Sequence, residues 1–595
     1  MSRKRDVPAR FDNGMFYLLF VLALALSWFF HRDATRFDDP RELWSDRAGY
    51  YIYLPAAFFY GFDAGRMPPD LDVRTGGGFS LDTARHRIDT KYTCGVAMMQ
   101  APFFATAYAV SLVAGIDPEN GFSMLFMRMN ALAAVVYLVA GLWLLKRFLD
   151  RYAGFIAVRV TVLLLFAGTN LFYYGLIDGM MSHVYSFFLF AWFLFSLGRY
   201  REETSVARFF PLVMAFFLAV LIRPTNALVG LAWVFWDSTG PGEWRDRIRL
   251  LVQPSRLALL VLVAALVFFP QMVYWKYLSG QWFHFSYGSE GFANWRSPRI
   301  AEVLFSPLNG LFTTNPLVLA FPAGILFMII RKQRNGWFLA TLFMLVTLVY
   351  ASWGMWYFGC SYGQRSFIEY YAILAVPLAL VTDRILALRW LWLRSAAIFL
   401  LLFFVYANLR NITALYRFER CWFGSTWDWE HYLLQYRRSG VFPATVSFGQ
   451  SCFENDFENM AIFPGTRPSK VFTRSGQFSV AVRPGDTLTL LYSVPIRQFG
   501  FPPPKQAEVT LWLYNPANRP AGSFLSFTMT RGGMVVFRSD IPADPAPAAW
   551  TELRHTFPVA DVLDSTLVLN LQIANPGRAL LFCDDLRVQF RNHWN

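Results

Sequence analysis

The amino-acid sequence predicts a polytopic α-helical membrane protein that carries an antiparallel β-sandwich toward its C-terminal end. Three observations predict it. The chain of 595 residues is 55% hydrophobic and 18% aromatic but only 16% charged, whereas soluble domains carry roughly 25% charged residues. Apolar runs approaching the roughly 20 residues that a spanning helix needs recur as far as about residue 410. From about Phe442 those runs stop, and short stretches of alternating polarity replace them.

The N-terminus, Met1-Ser-Arg-Lys-Arg, precedes an apolar run over 15–30. No small-residue cleavage site follows it, only His31-Arg-Asp-Ala-Thr-Arg, so it reads as a retained signal-anchor. Further runs lie near 122–145, 154–172, 183–198, 207–222, 226–238, 257–276, 311–330, 336–356, 367–382 and 395–410, giving about eleven transmembrane helices. The run at 226–238 is the shortest.

The net charge of +14 is spread in short basic clusters between these runs. That is the pattern of cytoplasmic loops under the positive-inside rule, not of a nucleic-acid-binding stripe. Arg3, Lys4 and Arg5 place the N-terminus in the cytoplasm, joined there by Lys146/Arg147/Arg151, Arg199/Arg201, Arg245/Arg247/Arg249, Arg331/Lys332/Arg334 and Arg384/Arg389/Arg394. The alternation holds if the apolar run 93–115, which contains Pro102 and follows Lys91-Tyr92, lies in the outer interface rather than crossing. The odd span count then puts the C-terminal region outside the cytoplasm.

The expected organisation is a membrane domain over 1–412, with a first outer loop over 31–121 bearing amphipathic helices. A Trp/Tyr/Arg-rich interfacial stem follows over 413–441, and an outer β-sandwich over 442–595. Strands are expected at Val471-Phe-Thr, Phe478–Val482, Thr487–Tyr492, Glu508–Tyr514, Leu567–Ile573 and Leu581–Val588. No internal repeat stands out, which weakens a transporter reading, because many transporter folds carry one. The five cysteines form no C-x-x-C pair and no ligand cluster.

On this topology Asp46, Arg47, Asp89, Lys91, Arg128, Asp178, His183, Arg223, Glu290, Arg296 and Arg365 all fall at the outer face. Ionisable residues at membrane depth are costly and usually functional, although any single one can be a snorkelling charge. Carboxylates beside guanidinium and ammonium groups suit a hydroxyl nucleophile that must lose a proton and an anionic phosphate leaving group.

The order of motifs resembles the GT-C superfamily of polytopic glycosyltransferases, in the branch of the protein O-mannosyltransferases and aminoarabinose transferases. The resemblance rests on Asp46-Arg-Ala-Gly-Tyr-Tyr-Ile-Tyr-Leu-Pro55, Lys91-Tyr-Thr-Cys-Gly-Val-Ala-Met-Met-Gln-Ala-Pro-Phe-Phe104, Met127-Arg-Met-Asn, Ile222-Arg-Pro-Thr-Asn226, Phe305-Ser-Pro-Leu-Asn-Gly-Leu-Phe312 and Trp353 through Gly363-Gln-Arg365. It covers roughly residues 1–412.

The resemblance implies transfer of a hexosyl or pentosyl group from a polyprenyl-phosphate donor to a hydroxyl of a cell-envelope glycan or lipid. The reaction would take place at the outer face of a bacterial cytoplasmic membrane, by direct, inverting displacement. Asp46 would be the general base. Lys91, Arg223 and Arg365 would hold the donor phosphate, by point charge and fork geometry. Arg47, Tyr50, Asp89, Tyr92, Arg128, Asp178 and His183 would line the cavity and acceptor side, with Asp178 and His183 also candidates for a divalent cation. Asp38, Asp39 and Asp89 are rival bases, and Arg365 with Glu369 reads equally as an i,i+4 ion pair. The motif Ser-Asp-Arg lacks the paired Asp-Glu of several relatives, which puts a family-style metal site in doubt.

Residues 450–458 and 583–588 resemble the first and last strands of carbohydrate-binding jelly rolls. The resemblance implies a Cys452–Cys583 disulfide in an oxidising compartment. Asp456, Glu458 and Asp584 are candidates for structural calcium or for satisfying backbone groups. Trp512, Tyr514 and Tyr492 are either a sugar-binding face or core. Two alternatives of other classes stay open: a lipid-linked sugar flippase or transporter, and a block-transfer glycan ligase. A non-catalytic glycan-binding scaffold is weaker.

Overall fold

Proline and glycine set the ends and breaks of the apolar helices. The computed structural model describes residues 9–39, 41–288, 290–359, 361–415, 429, 432, 451–457, 468–496, 506–517, 522–559, 567–577 and 579–591. The chain divides into two compact units, Met1–Val441 and Phe442–Asn595.

In the first unit Pro254 opens the helix Pro254–Ser279, and Gly280, at φ +79°, closes it in the left-handed conformation that favours glycine. Among the described residues, five helices are long and apolar enough to cross a bilayer, by length and composition: Asp12–His31, Gly95–Ala114, Met124–Leu149, Pro254–Ser279 and Leu391–Thr413. Shorter apolar helices fill Phe155–Gly168, Val206–Ile222, Pro224–Phe235, Pro316–Ile330 and Gly336–Ala351.

Two expected spans are interrupted. The run 226–238 folds as a 3₁₀ turn over Pro224–Gly230 followed by only Leu231–Phe235. The run 311–330 is cut by Pro316 into Leu311–Thr314, Pro316–Leu319 and Ala320–Ile330. The segment expected to lie in the interface is a continuous helix, Gly95–Ala114, with the length and hydropathy of a span. Both of its flanks nonetheless return to the first loop: Tyr92 precedes it and bonds Asp46, and Gly121 follows it and accepts the Tyr51 hydroxyl.

Helix Met124–Leu149, about 39 Å long at 1.5 Å per residue, connects two polar ends of the bundle. At its start Arg128 reaches Glu42 at 2.8 Å. At its far end Lys146, Asp12, Asp150 and Arg159 form a mutually paired cluster, with Arg159 2.7 Å from both Asp12 and Asp150.

The second unit holds ten strands among the described residues. They are β3 (Ser451–Asn455), β4 (Pro468–Ser469), β5 (Ser479–Val482), β6 (Asp486–Pro495), β7 (Gln506–Tyr514), β8 (Phe524–Arg531), β9 (Met534–Pro542), β10 (Trp550–Pro558), β11 (Val568–Asn575) and β12 (Leu581–Arg591). The first unit carries only the hairpin β1 (Ser80–Asp82) and β2 (Arg87–Asp89). One sheet runs β10-β7-β12-β5-β4 with β3 also on β12, and the other runs β6-β11-β8-β9; every pair between these strands is antiparallel. Alternation on β7 buries Ala507, Val509, Leu511 and Leu513 in a core shared with Leu525, Phe527, Leu569 and Leu571 of the second sheet.

Several expectations for this unit are corrected. Val471-Phe-Thr is loop, and it covers the sheet: Phe472 packs on Tyr514 at 4.7 Å, and the Arg474 guanidinium lies 3.8 Å from the Trp512 ring centroid. Tyr492 is 8% exposed and packs on Phe453, so it belongs to the core, whereas Trp512 and Tyr514 are half-buried on the other face of β7. Asp584 spends its carboxylate on the backbone N–H groups of Arg474, Ser475 and Asp585. No group of three metal-ligating side chains occurs among the described residues; Glu458 lies outside them, and Asp456 is exposed on β3's outgoing turn.

The expected disulfide fails on register. β3 does pair with β12, but Cys452 stands opposite Gln589, six positions beyond Cys583 (589 − 583). At about 3.3 Å per residue that separation far exceeds the Cα–Cα distance a disulfide spans. Cys583 is a buried free thiol whose ionisation burial pushes up. Peptide mapping without reductant is expected to find Cys583 unmodified in the native protein and alkylated only after unfolding. A Cys452–Cys583 cross-linked peptide would contradict the register.

Candidate functional site

The stretch Trp44-Ser-Asp-Arg folds sharply because its backbone is pinned from beneath. Ser45 has φ +51° and ψ −124°, a conformation few non-glycine residues adopt. Its N–H donates to the Thr75 carbonyl at 2.7 Å, and its carbonyl accepts from the Gly49 N–H at 3.2 Å. Gly78 lies so close that an added Cβ would overlap the Ser45 carbonyl oxygen and crowd the Gly49 nitrogen. Gly78→Ala is therefore expected to destabilise the protein by on the order of 2 kcal/mol through overpacking and to displace Asp46. Gly77→Ala, where a Cβ meets open space, carries only the cost of its positive φ. Thermal unfolding of the two variants in one detergent checks the contrast.

The turn delivers Asp46 to the start of a short helix, Asp46–Tyr51. Its Oδ1 accepts the Tyr92 hydroxyl at 2.5 Å, and its Oδ2 accepts Arg365 Nη2 at 2.8 Å. Burial pushes the Asp46 carboxyl up, but the Arg365 charge, the Tyr92 hydroxyl and the nearby Lys91 outweigh it and hold the group below the ordinary carboxylate range. The Tyr50 ring packs on Tyr92 at 4.5 Å. Burial raises the Tyr50 phenol, in spite of the Arg223 charge beside it.

The surrounding charges come from distant segments. Lys91 Nζ lies 2.5 Å from Glu290 and faces the rings of Tyr92 and Tyr287. Arg47 pairs with Asp178 at 3.2 Å, directly beside Asp46 in sequence. Arg223, at the end of helix Val206–Ile222, reaches Glu369 Oε1 at 3.3 Å, and His183 Nδ1 lies 3.3 Å from Glu369 Oε2. The Glu369 and His183 side chains are 0% and 1% exposed, and His183 Nε2 is buried without a hydrogen-bond partner among the described residues.

Asp46, Lys91, Tyr92, Tyr50, Arg223 and Arg365 thus share one neighbourhood, with Arg47, Asp178 and His183 at its edge. Two named residues do not join it. Arg128 is consumed by Glu42 and by the carbonyls of His31 and Ala34. Asp89 is exposed on β2, in register with Ser80. The rival bases are also engaged elsewhere: Asp38 with Arg36 and Arg74, Asp39 with Arg41.

Glu369 is the site residue that the sequence misassigned. The i,i+4 reading with Arg365 required a helix, but 365–367 is a 3₁₀ turn and the helix begins only at Tyr371. Glu369 faces Arg223 and His183 instead. A buried carboxylate next to two basic side chains from other helices has no local sequence signature.

No protein-family model matches the chain, and no curated protein matches it. Among solved structures, the CBM22-1 xylan-binding domain of Paenibacillus barcinonensis Xyn10C is 13% identical, covering 24% of this chain and 88% of its own, with a TM-score of 0.17. The arabinose-bound α-L-arabinofuranosidase MgGH51 is 13% identical over 21% of this chain and 22% of its own, with a TM-score of 0.16. The arabinosyltransferase EmbB from Mycobacterium smegmatis is 10% identical over 98% of this chain, with a TM-score of 0.35, and the chain spans 66% of its length.

Proposed function

We propose that the chain is a membrane glycosyltransferase of GT-C type. In this reading it moves a sugar from a polyprenyl-phosphate donor to an acceptor hydroxyl on a cell-envelope glycan or lipid, with Asp46 as the general base. The observation that carries the reading is the side-chain chemistry around Asp46, not the structural likenesses. An ionised carboxylate stands in contact with Arg365 and near Lys91, and Arg223 stands beside the neighbouring Tyr50.

The chemistry divides naturally between them. The carboxylate takes the proton of the acceptor hydroxyl as its oxygen attacks the anomeric carbon. The bond from that carbon to the phosphate oxygen breaks, and the departing phosphate gains negative charge that Lys91, Arg223 and Arg365 neutralise. Tyr92 and Arg365 hold the carboxylate at both oxygens, which fixes its orientation; an incoming acceptor hydroxyl would replace one of these partners. Glu290, on Lys91, and Glu369, on Arg223, are the anions that a bound phosphate would supplement or displace.

The test is transfer by the full chain in proteoliposomes supplied with polyprenyl-phosphoryl sugars and candidate acceptors, followed by isolation of a new glycosidic bond. Movement of the donor across the bilayer with no new bond, unaffected by Asp46→Asn, would replace this reading with that of a flippase.

A further inference from the structure

Between helix Pro254–Ser279 and helix Ile300–Phe305 the chain makes a strap whose two sides differ in kind. Its inner side is polar and fastened. Ser286 Oγ donates to the Lys91 carbonyl at 2.7 Å, and Glu290 takes the Lys91 ammonium. The Gly354 N–H donates to the Gly291 carbonyl at 2.8 Å, the Asn294 N–H to Ser352 at 3.0 Å, and the Arg299 N–H to Ala351 at 2.9 Å. Phe292 packs edge-on against Trp353 at 5.2 Å.

The outer side is aromatic and bare. Trp282 is 47% exposed, Phe283 72%, Phe285 67% and Trp295 65%. Phe292, although it packs on Trp353, is also 47% exposed. Single exposed apolar residues need no explanation, but five large aromatics within one strap do. The strap continues a 26-residue apolar helix of which only 22% of the span window is buried inside the protein, leaving the rest of its surface for lipid. Where that helix ends, Lys276 turns back: its Nζ donates to the Gly280 carbonyl at 2.6 Å and stands 5.8 Å from the Trp282 ring centroid. A lysine snorkelling beside a tryptophan at the end of a lipid-facing helix marks the level of the membrane interface.

We infer that the strap 281–299 is a membrane-surface element whose outward aromatics sit among the lipids at the headgroup–acyl boundary, while its inner side holds Lys91. The partner is the lipid leaflet itself. The inference needs membrane placement of the helices but not glycosyl transfer, so the two readings fail separately.

The experiment uses the wild-type full chain in liposomes of phosphatidylethanolamine and phosphatidylglycerol containing a phospholipid with an acyl-chain diazirine. After irradiation, trypsin releases Tyr277–Arg296, the helix peptide Leu257–Lys276 and the loop peptide Met67–Arg74. Val73 in the last of these is 72% exposed on a polar segment. Fragment ions are expected to place label on residues 282–295, at a yield comparable to that of Leu257–Lys276 and several-fold above Met67–Arg74. Label on the helix peptide with residues 282–295 no higher than Met67–Arg74 would overturn the inference. It would leave the aromatics facing water, a glycan or another protein.

Discussion

Asp46→Asn is expected to leave the protein folded and to lower transfer by about 10²- to 10⁴-fold, the range over which a positioned general base contributes. The amide keeps the volume and can still accept the Tyr92 hydroxyl, but it cannot take a proton, and it leaves Arg365 without its carboxylate partner. The loss should therefore fall on kcat, and donor affinity should hold or rise because Arg365 is freed for phosphate. Full transfer by the variant would remove Asp46 from the chemistry. Asp38→Asn and Asp39→Asn, whose carboxylates are tied to arginines away from the cluster, should each leave kcat within a few-fold of wild type.

The pH dependence follows from the same contacts. Burial alone would raise the Asp46 carboxyl, but Arg365, Tyr92 and Lys91 hold it below its usual value. A carboxyl with a lowered folded-state pKa adds stability that is fully present above the unfolded value near about 3.9 and is lost as pH falls through the folded value. Asp46 is thus charged and competent across the neutral range. The acid limb of kcat/KM that belongs to it should lie below about pH 4. An acid limb near neutrality that disappears in Asp46→Asn would contradict this.

Glu369→Ala carries the largest expected stability loss, about 3–5 kcal/mol, because removing the buried carboxylate leaves the Arg223 guanidinium uncompensated. Arg223 and His183 both face this carboxylate at 3.3 Å, and the Glu369 side chain is fully enclosed. Glu369→Gln keeps the volume and one acceptor, and should lose much less. In a double-mutant cycle, Arg223→Ala should cost less on the Glu369→Ala background than alone, since there its partner carboxylate has already gone and the substitution removes an orphaned guanidinium. Thermal unfolding in a fixed detergent reads all of these. An alanine variant as stable as wild type would mean that Glu369 is held by something other than its charge.

What the sequence disclosed, and what it hid, follows the range of the interactions concerned. Apolar runs announce helices, and alternation announces strands such as β7 and β12, because both patterns are local. The stretch around Asp46 was readable for the same reason: an acidic residue followed by tyrosines four, five and seven positions on. Contacts between remote segments were not readable. Nothing near Glu369 says that it faces Arg223, nothing near Arg128 says that Glu42 absorbs it, and nothing near Cys452 says that it meets Gln589 rather than Cys583. Pro224 opens a 3₁₀ turn where apolar content predicts a span, and Pro316 divides another, because the breaks are set by single residues inside otherwise apolar runs. β8 buries five successive residues, β9 buries none, and β10 puts Thr551 and His555 on its less exposed face, so none of the three alternates as β7 does.

β12 has a consequence for the order in which the second unit can assemble. It is hydrogen-bonded to β7 on one side and to β5 and β3 on the other, yet it lies latest in sequence of all the described strands. Until residues 581–591 have emerged, the β7–β10 pair, the β5–β4 pair and β3 have no strand to join them. The sheet therefore has no stable half-built form, and a polypeptide stopped before Leu581 would expose unpaired edges of β3, β5 and β7 together. That delay makes the last strand a checkpoint: the unit stays open to proteases until the chain has delivered it.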